Sequence, residues 1–436
     1  MRLTVIGTGY LGATHAACMA ELGHEVVGVD VDADKVAALS AGRVTFHEPG
    51  LAELIARHTA SGRLRFTTSY EEAGAFGQVH FVCVGTPQRK ESGAADLTYV
   101  DAAFAAIARH AAKDALLVGK STVPVGTAAR LADACDAEVA WNPEFLREGF
   151  AIEDTLRPDR LVFGVESERA ETLLREVYAP VLAAGTPLVT ADFATAELVK
   201  TAANAFLATK ISFINAMAEV CEAAGGDVRT LAEALGYDDR IGKKFLRAGV
   251  GFGGGCLPKD IRAFAHRAGE LGVDLGFLHA VDAINMRRRD RVIELARELC
   301  GGGLLGARVA VLGAAFKPDS DDIRDSPALN VAARLDLDGA DVTVYDPEAM
   351  DNARKAFPLL GYAMSLEEAL RGADLVLHLT EWPQFREIDP EWAGSLVCRP
   401  RIVDGRGVLD ADLWTAAGWQ FRALGRSASH RGGVGR

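Results

Sequence analysis

The sequence predicts an α/β protein with two doubly wound, mostly parallel sheets, connected by a long central helix and a helical dimerisation region. Three observations carry this prediction: a glycine-rich turn between a strand and a helix at the N-terminus, a long helical pattern without Gly or Pro in mid-chain, and a return of the N-terminal order of elements near residue 308. The predicted boundaries are 1–194 for the first domain, 195–303 for the central domain, 304–424 for the second α/β domain and 425–436 for a Gly/Ser/Arg-rich disordered tail.

The first element is a strand at 3–6 that runs into the turn Gly7-Thr8-Gly9-Tyr10-Leu11-Gly12. A helical pattern covers 13–22, and a second strand at 25–29 ends in Asp30. This order is typical of a Rossmann-like dinucleotide-binding unit, in which the glycines let a pyrophosphate approach the helix N-terminus. Asp30 lies 23 residues after Gly7 (30 − 7), the position of a carboxylate that binds the adenosine ribose. A carboxylate repels a 2′-phosphate, so NAD is predicted rather than NADP.

Further strands are predicted at 79–84, 116–118, 139–140 and 161–165, with helical patterns between several of them. Loops follow three of these strands, at 84–87, 120–127 and 141–149, and the first two are rich in Gly, Pro and Thr. Because ligands bind at the carboxyl ends of the strands in open α/β sheets, these loops are expected to face the nicotinamide.

The mid-chain helix is predicted over 195–222 and is long enough to connect two domains and to contribute a dimer face. Lys200 and Asn204 are four residues apart and therefore lie on one side of it. From the residues alone, a solvated helix lysine is the better interpretation of Lys200.

The run Gly251-Phe252-Gly253-Gly254-Gly255-Cys256-Leu257-Pro258-Lys259-Asp260 surrounds one thiol with almost no side chains. A lone cysteine is more often a small packed residue than a nucleophile. Here the glycines permit close approach of a ligand, and the nearby Lys259 and Asp260 can change the charge state of the reacting group. The pattern therefore favours Cys256 as a nucleophile.

After residue 303 the N-terminal pattern returns, with a strand at 308–312, a turn at 313–316, a helix at 328–335 and a strand at 342–346 that ends in Asp346. The third glycine is missing and the distance from turn to aspartate is 33 residues (346 − 313). We therefore expect a second Rossmann-like domain that binds something other than a standard dinucleotide. The polar segment 317–324 fills the extra length, and an exposed loop is the simplest interpretation of its acidic residues.

Composition argues against several kinds of partner and site. The net charge is −13 without a basic block, which argues against nucleic acid as a partner, and the longest apolar runs are too short for a membrane span. A strand that begins by residue 3 leaves no room for a signal peptide. The seven cysteines form no CxxC motif and no Cys/His cluster, so neither disulfides nor a metal site are predicted. A cytoplasmic location is expected.

Seven ordered motifs resemble those of the UDP-glucose/GDP-mannose dehydrogenase family. They are GTGYLG at 7–12, STVPVGT at 121–127, NPEFLREG at 142–149, ELVKTAANAF at 197–206, RIG at 240–242, GVGFGGGCLPKD at 249–260 and FKPDSDDIRDSPA at 316–328. The resemblance extends from residue 7 to about residue 410. One departure is Gly255, where the family usually has a serine before its cysteine.

This resemblance implies oxidation of the C6 primary alcohol of a nucleotide sugar to a carboxylate, with two NAD⁺ and one water, through a thiohemiacetal and a thioester on the cysteine. UDP-glucose is the favoured substrate, with GDP-mannose and a UDP-N-acetylhexosamine as alternatives. The catalytic residues that it implies are Cys256, Lys200, Asn204, Asp260, Thr122, Glu144 and Glu148. Lys200 and Asn204 would stabilise the oxyanion, Asp260 and Thr122 would hold a water, and the division of roles between Glu144 and Glu148 stays open.

The resemblance also implies the ligand contacts. The cofactor-binding residues are Gly7, Gly9, Tyr10, Leu11, Gly12, Asp30, Lys35, Thr86, Thr122, Glu148 and Arg324. The substrate-binding residues are Phe145, Leu146, Arg147, Glu148, Lys200, Asn204, Arg240, Phe245, Gly249, Phe252, Gly253, Lys317 and Arg406. Arg240 matches an arginine that reaches into the neighbouring subunit, which implies a homodimer.

Two other functions fit parts of the sequence. A one-step β-hydroxyacid-type dehydrogenase shares the first domain and the long helix but needs no cysteine. A non-catalytic nucleotide-binding protein would have little reason to keep Thr122, Glu144, Lys200, Asn204, Cys256 and Asp260 together.

Overall fold

The structure is a computed structural model that describes residues 1–89 and 92–426. It divides into two compact units, unit 1 with Met1–Ala203 and Arg262–Asp274, and unit 2 with Asn204–Ile261 and the chain from Leu275 onward. The central region that the sequence presents as one domain is therefore shared between the two units, and the three-domain division stays a prediction.

Unit 1 alternates strands and helices, as the sequence predicts. Its elements are β1 Arg2–Ile6, α1 Tyr10–Glu21, β2 Glu25–Val29, α2 Ala33–Ser40, α3 Leu51–Ala60, β3 Leu64–Thr67, α4 Tyr70–Phe76, β4 Val79–Val82, α5 Thr98–Ala108, β5 Leu116–Gly119, α6 Thr127–Ala134, β6 Glu138–Trp141, α7 Ala151–Leu156, β7 Leu161–Gly164, α8 Glu168–Val177, α9 Ala179–Ala183, β8 Leu188–Ala191 and the first part of α10 Phe193–Ala224.

The eight strands of unit 1 form one sheet in the order β3-β2-β1-β4-β5-β6-β7-β8. The pairs are parallel except for β6 with β7, which meet antiparallel at one residue pair. β4, β5 and β7 are buried along their whole length, because helices cover both faces and leave a core on each. The first six strands have the strand order of a dinucleotide-binding fold, so the predicted first Rossmann-like domain is confirmed.

Unit 2 begins inside α10 and contains the second sheet. Its further elements are α11 Val228–Gly236, α12 Leu257–Glu270 (which crosses into unit 1), α13 Gly276–Leu299, β9 Arg308–Leu312, α14 Pro327–Leu337, β10 Asp341–Tyr345, α15 Met350–Ala356, β11 Gly361–Tyr362, α16 Leu366–Leu370, β12 Leu375–His378, α17 Pro383–Arg386, α18 Pro390–Leu396, β13 Arg401–Asp404, α19 Ala411–Ala416 and β14 Gln420–Ala423.

The second sheet has the order β11-β10-β9-β12-β13-β14 and is parallel throughout. This is again the order 3-2-1-4-5-6, which confirms the second Rossmann-like fold. α10 runs without a break for 32 residues, two residues longer at each end than predicted.

The turn after β9 shows why this second fold differs from the first. Asp346, at the end of β10, accepts hydrogen bonds from the backbone N–H groups of Ala314 at 2.7 Å and Ala315 at 3.0 Å. Trp382 Nε1 donates to the same carboxylate at 3.1 Å. In addition, the next helix, α14, begins only at Pro327 and has Ser326 as its N-cap, whereas α1 follows its turn directly and has no side-chain cap. The second turn therefore does not lead into an open helix N-terminus.

The chain is folded further toward its C-terminus than the sequence predicted. The predicted disordered tail began at residue 425, but Gly425 donates its N–H to Glu222 at 2.7 Å, and Arg426 forms an ion pair with Asp227 at 2.7 Å. Residues 427–436 lie outside the described residues. Within the described chain, the helices are all too short or too polar to cross a membrane.

Candidate active site

The turn between β1 and α1 has the shape that a pyrophosphate requires. A Cβ on Gly12 would lie 1.8 Å from the carbonyl oxygen of Gly7, and one on Gly7, whose φ is +85°, would lie 2.7 Å from Val84 Cγ1. Gly9 is the N-cap of α1 and has no side-chain capping bond, and no atom lies within 4 Å of the place of its Cβ. The first N–H groups of α1 are thus open to an anion, and the turn fits the NAD pyrophosphate.

Asp30 ends β2 beside this turn and is nearly buried. Its Oδ2 accepts hydrogen bonds from the Thr8 N–H at 2.8 Å and from Lys35 Nζ at 3.0 Å, and its Oδ1 accepts one from the Asp32 N–H at 3.1 Å. Burial acts to raise the pKa of Asp30, but the hydrogen bonds from Lys35, Asp32 and Thr8 outweigh it, so the pKa is lowered. The carboxylate is therefore ionised, and Oδ1 retains capacity for a ribose hydroxyl.

Tyr10 fixes the far end of the 142–149 loop to the start of α1. Its hydroxyl donates to Glu48, and the same carboxylate accepts the N–H groups of Gly149 at 2.6 Å and Ala151 at 2.8 Å. Burial, followed by the hydrogen bond and charge of Glu48, raises the pKa of Tyr10, which keeps the phenol protonated. Sequence reasoning missed Glu48, because its partners are backbone groups about 100 residues away.

Lys200 is not a solvated lysine. Its Nζ lies 3.1 Å from Glu144 Oε1, and the two side chains are only 7% and 12% exposed. Glu144 Oε2 accepts the N–H of Leu146 at 2.6 Å, and Lys200 also lies 5.6 Å from the centre of the Phe145 ring. The structure thus brings together two predicted catalytic residues and two predicted substrate contacts within unit 1.

The loops after β4 and β5 are tied to each other by Thr86, whose hydroxyl donates to the carbonyl of Thr122 at 2.8 Å. Ser121 Oγ donates to the carbonyl of Val84 at 2.6 Å. Glu148 lies in the same unit, near enough for its charge to act on Tyr10. Leu11 is half-buried in the first turn of α1. These predicted residues therefore belong to one group of loops in unit 1.

Glu197, one turn before Lys200 on α10, holds the helix that follows the Thr122 loop. Its two carboxylate oxygens accept the N–H groups of Gly126 and Ala128, each at 2.7 Å, at the N-terminus of α6. Burial raises the pKa of Glu197 to about 7, although these backbone hydrogen bonds act in the opposite direction. Sequence reasoning missed this residue, since its signal is a single carboxylate on an apolar helix.

In unit 2 the predicted nucleophile stands at the start of a helix. Cys256 is exposed, and its carbonyl accepts the N–H of Asp260 at 2.9 Å, which makes it the N-cap residue of α12. The helix dipole favours negative charge at this position, as a thiolate requires. Asp260 is buried and accepts hydrogen bonds from Asn204 Nδ2 and Lys259 Nζ, both at 2.6 Å. Three predicted catalytic residues therefore form one cluster.

At the departure from the family pattern, Gly255, the Arg324 side chain lies close to the backbone. A Cβ on Gly255 would lie 2.2 Å from Arg324 Cζ, so a side chain there requires the guanidinium, the end of a 64% exposed side chain, to move. Arg324 is held there by Asp322 at 2.7 Å, whose carboxylate also accepts the Gly255 N–H at 3.3 Å. The predicted cofactor residue Arg324 thus lies against the backbone that leads into Cys256.

The predicted substrate loop 249–253 is held by two asparagines that sequence reasoning missed. Asn215 of α10 accepts the Gly249 N–H at 2.8 Å. Asn285 of α13 accepts the Phe252 N–H at 2.8 Å and donates to the Phe252 carbonyl at 2.9 Å. Both asparagines are fully buried, and a Cβ on Gly251, whose φ is +99°, would lie 2.5 Å from Asn285 Oδ1. The only sequence signal is a polar amide within each helical pattern.

Arg406 also holds this loop. Its guanidinium donates to the carbonyls of Leu379 at 2.6 Å, Phe316 at 2.9 Å and Gly251 at 3.3 Å, and its side chain is 11% exposed. These contacts use most of its donors within the chain. A direct contact of Arg406 with the substrate stays a prediction.

Other predicted substrate contacts lie at the surface of their own unit. Arg147 in unit 1 is paired with Asp154 at 2.7 Å. In unit 2, Arg240 is 89% exposed and paired with Asp238, Phe245 has a left-handed φ of +63°, and Lys317 lies 5.5 Å from the Phe316 ring. A Cβ on Gly253 would lie 2.4 Å from the carbonyl oxygen of Asp325. The ligand-binding roles of these residues stay predictions.

The comparisons with known proteins cover nearly the whole chain. Residues 1–182 match the NAD binding domain of the UDP-glucose/GDP-mannose dehydrogenase family, residues 194–287 its central domain and residues 310–411 its UDP binding domain. The chain belongs to this family. The predicted NAD-dependent dehydrogenase is thereby confirmed.

Individual relatives agree with this assignment. The chain is 43% identical to a UDP-glucose 6-dehydrogenase of Rhizobium meliloti (strain 1021), over 98% of the chain and 100% of the relative. It is 40% identical to the UDP-glucose 6-dehydrogenase YwqF of Bacillus subtilis (strain 168), over 98% of each. The structure of a UDP-glucose dehydrogenase from Pyrobaculum islandicum superposes with a TM-score of 0.90 at 40% identity, covering 98% of both chains.

Glu197 is expected to make stability depend on pH. Its pKa in the folded chain, about 7, lies above the ordinary value of 4.5, so the folded state binds the proton more tightly. Protonated Glu197 contributes on the order of 3 kcal/mol to the free energy of unfolding. This contribution is complete below about pH 4.5 and is lost as the pH rises through 7. In urea denaturation, the free energy of unfolding of the Glu197→Gln variant should fall less between pH 4.5 and 7 than that of the original protein. The exposed Glu166→Gln variant is the control, and equal pH dependence in all three proteins would refute this role.

The Asn285→Leu change is expected to loosen the 249–253 loop. It leaves the N–H and carbonyl of Phe252 without their partner, so the free energy of unfolding should fall by about 2 kcal/mol or more. Amide hydrogen exchange of the peptide over 249–255 should accelerate at the same time. Met286→Leu, at the neighbouring and partly exposed position, is the matched control with little change. Unaltered exchange in Asn285→Leu would show that the loop does not depend on this amide.

Proposed function

We propose that this protein oxidises UDP-glucose at C6 to UDP-glucuronate in two successive steps, through covalent intermediates on Cys256. The observation that carries the proposal is the exposed Cys256 at the N-terminus of α12, with the buried Asp260 of the first turn hydrogen-bonded to Asn204 of α10. The names of relatives at 38–43% identity over 94–98% of the chain support this substrate. The dehydrogenase for UDP-D-ManNAc from Pyrococcus horikoshii is more distant, at 26% identity.

In the proposed first oxidation, Asp260 and Thr122 hold a water that removes the proton of the C6 hydroxyl, and a hydride leaves C6 to give an aldehyde. NAD⁺, bound at the turn of Gly7, Gly9 and Gly12, supplies the hydride acceptor for each oxidation. The Cys256 thiolate then adds to the aldehyde carbon. Lys200 and Asn204, one turn apart on α10, stabilise the oxyanion of the thiohemiacetal.

In the proposed second oxidation, loss of a hydride from the thiohemiacetal carbon gives a thioester on Cys256. Glu144 is proposed to take a proton from the water that attacks the thioester, with Glu148 in support. The C–S bond breaks, the thiolate returns and the carboxylate product leaves. Glu144 is held in place for this role by Lys200, whose Nζ lies 3.1 Å from Glu144 Oε1.

The proposed function is tested by the amount of NADH formed per nucleotide sugar consumed, with UDP-glucose, GDP-mannose and UDP-N-acetylglucosamine in separate reactions. Two NADH per UDP-glucose, and little from the other sugars, are expected. One NADH per sugar would refute the thioester, and activity with GDP-mannose alone would refute the substrate.

The Cys256→Ser variant is expected to stop after the first oxidation. A serine hydroxyl is a much weaker nucleophile, so steady-state turnover should fall by roughly 10³-fold or more. The measurement is NADH release under single-turnover and steady-state conditions. Cys398→Ser removes another exposed thiol and should retain full activity. Full turnover by Cys256→Ser would instead favour a one-step dehydrogenase.

We also propose that the protein acts as a homodimer in the cytoplasm, where an exposed reactive thiol stays reduced. On α10, Phe206, Phe213 and Val220 follow each other at intervals of seven residues and are 66%, 48% and 55% exposed. Large apolar side chains on one helix face favour burial against a second copy. The exposed Arg240 is proposed to reach the site of the partner subunit.

Subunit complementation tests the dimer and the role of Arg240 together. Arg240→Ala and Cys256→Ser should each have little activity alone. Mixed before refolding, they should recover about a quarter of the original activity, because half of the dimers are mixed and each of these has one intact site. Light scattering checks the mass. A monomeric mass, or no recovery in a mixture of dimers, would contradict the proposal.

A further inference from the structure

A buried lysine that the proposed mechanism does not use lies directly after β5 in unit 1. Lys120 is 6% exposed, and its Nζ contacts three oxygen atoms. These are Asn142 Oδ1 at 2.9 Å, the hydroxyl of Tyr178 at 3.3 Å and the Asn142 carbonyl at 3.4 Å. Asn142 and Tyr178 are also buried.

The hydrogen-bond pattern fits an ammonium group rather than a neutral amine. The Tyr178 hydroxyl donates its proton to Asn142 Oδ1 at 2.7 Å, and Asn142 Nδ2 donates to the Val162 carbonyl at 3.0 Å. All three oxygen atoms therefore face Lys120 as acceptors. An ammonium group has three N–H donors and no acceptor, which matches this set.

Lys120 has no carboxylate within ion-pair distance among residues 1–89 and 92–426, which is costly for a buried charge. Burial accordingly lowers its pKa to about 8; the charge of Glu144 acts to raise it, and that of Lys200 lowers it. Burial raises the pKa of the Cys83 thiol to about 12, so that group is neutral near pH 7.

The remaining titratable neighbours are also uncharged. Burial raises the pKa of Tyr178 and lowers that of His15, whose ring packs against Phe81 and Tyr178. Two further side chains whose charges act on Lys120 are Glu144 and Lys200, and both belong to the proposed mechanism. Unpaired buried charges are typical of functional sites.

The chain itself links Lys120 to Glu144. Asn142 begins the loop that carries Glu144, and only Pro143, with its fixed φ, lies between them. The Asn142 N–H also donates to the Gly119 carbonyl at 2.8 Å, so Asn142 is held to the end of β5 from two sides. A shift of Asn142 must therefore move Glu144 relative to Lys200.

We propose that Lys120 is a positioning residue that, with Tyr178, fixes Asn142 and thereby holds Glu144 against Lys200 in the geometry needed to hydrolyse the thioester. This inference rests on the proposed function for the role of Glu144. Lys120 does not touch the reacting atoms in this account. It fixes the segment that carries the base and adds positive charge near Glu144.

The test compares the Lys120→Met, Glu144→Gln and double variants with UDP-glucose and NAD⁺. The first NADH should form at nearly the original rate in Lys120→Met, while steady-state turnover falls about 10- to 100-fold. Intact-protein mass spectrometry after rapid quenching should show a covalent adduct on Cys256 that accumulates. Lys113→Met removes an exposed lysine and is the matched control with no adduct.

The double variant separates the inference from the proposed function. If Lys120 acts through Glu144, the double variant has the turnover of Glu144→Gln alone; independent, multiplying effects would overturn the inference. Equal slowing of both NADH phases without an adduct in Lys120→Met would also overturn it. If Glu144→Gln hydrolyses the thioester normally, the proposed role of Glu144 fails, and a slow Lys120→Met then shows that Lys120 acts elsewhere.

Tyr178→Phe is a second variant that tests the same cluster, in case Lys120→Met does not fold. It retains the buried ring and removes one acceptor of the ammonium group. A smaller accumulation of the same adduct, with turnover reduced roughly 2- to 10-fold, is expected from the loss of one hydrogen bond. Unchanged turnover and no adduct in a folded Tyr178→Phe would overturn the cluster's role.

Discussion

Parallel strand pairing is the constraint on which the functional arrangement of unit 1 depends. β1, β2, β4, β5 and β6 run in the same direction, so the segments that follow them emerge at one edge of the sheet. The glycine turn, Asp30, Thr86, Thr122 and Glu144 are far apart in sequence and each follows one of these strands. These residues lie at that edge because each directly follows a parallel strand, and no specific side-chain partner is needed to bring them there.

Much of this could be predicted from the sequence, because the strands and the turns have local signatures. The apolar strands, the glycine turn and the long helix each depend on neighbouring residues, and the structure reproduces them within a few positions. Lys200 shows the limit of local reasoning. A lysine in a helical sequence pattern is usually solvated, so the local sequence predicts an exposed Lys200. The structure instead shows it buried against Glu144, which is 56 residues away (200 − 144).

The residues that sequence reasoning missed have a common physical character. Glu48, Glu197, Asn215 and Asn285 are buried polar side chains that bond to the backbone of a distant segment. Backbone groups carry no sequence information, so their side-chain partners cannot be paired from the sequence. They provide hydrogen-bond partners for backbone groups in irregular loops, which have no partners in regular secondary structure. In this way they fix the loops that carry the proposed catalytic residues.

The place where each helix begins has a consequence for what the two Rossmann-like folds can bind. A carboxylate accepts turn N–H groups in both folds, that of Thr8 by Asp30 and those of Ala314 and Ala315 by Asp346. In unit 1 the helix α1 follows the turn directly and has no side-chain cap, whereas α14 begins only at Pro327 and is capped by Ser326. Among the described residues, the two folds therefore share a strand order but offer an uncapped helix N-terminus directly after the first turn only in unit 1.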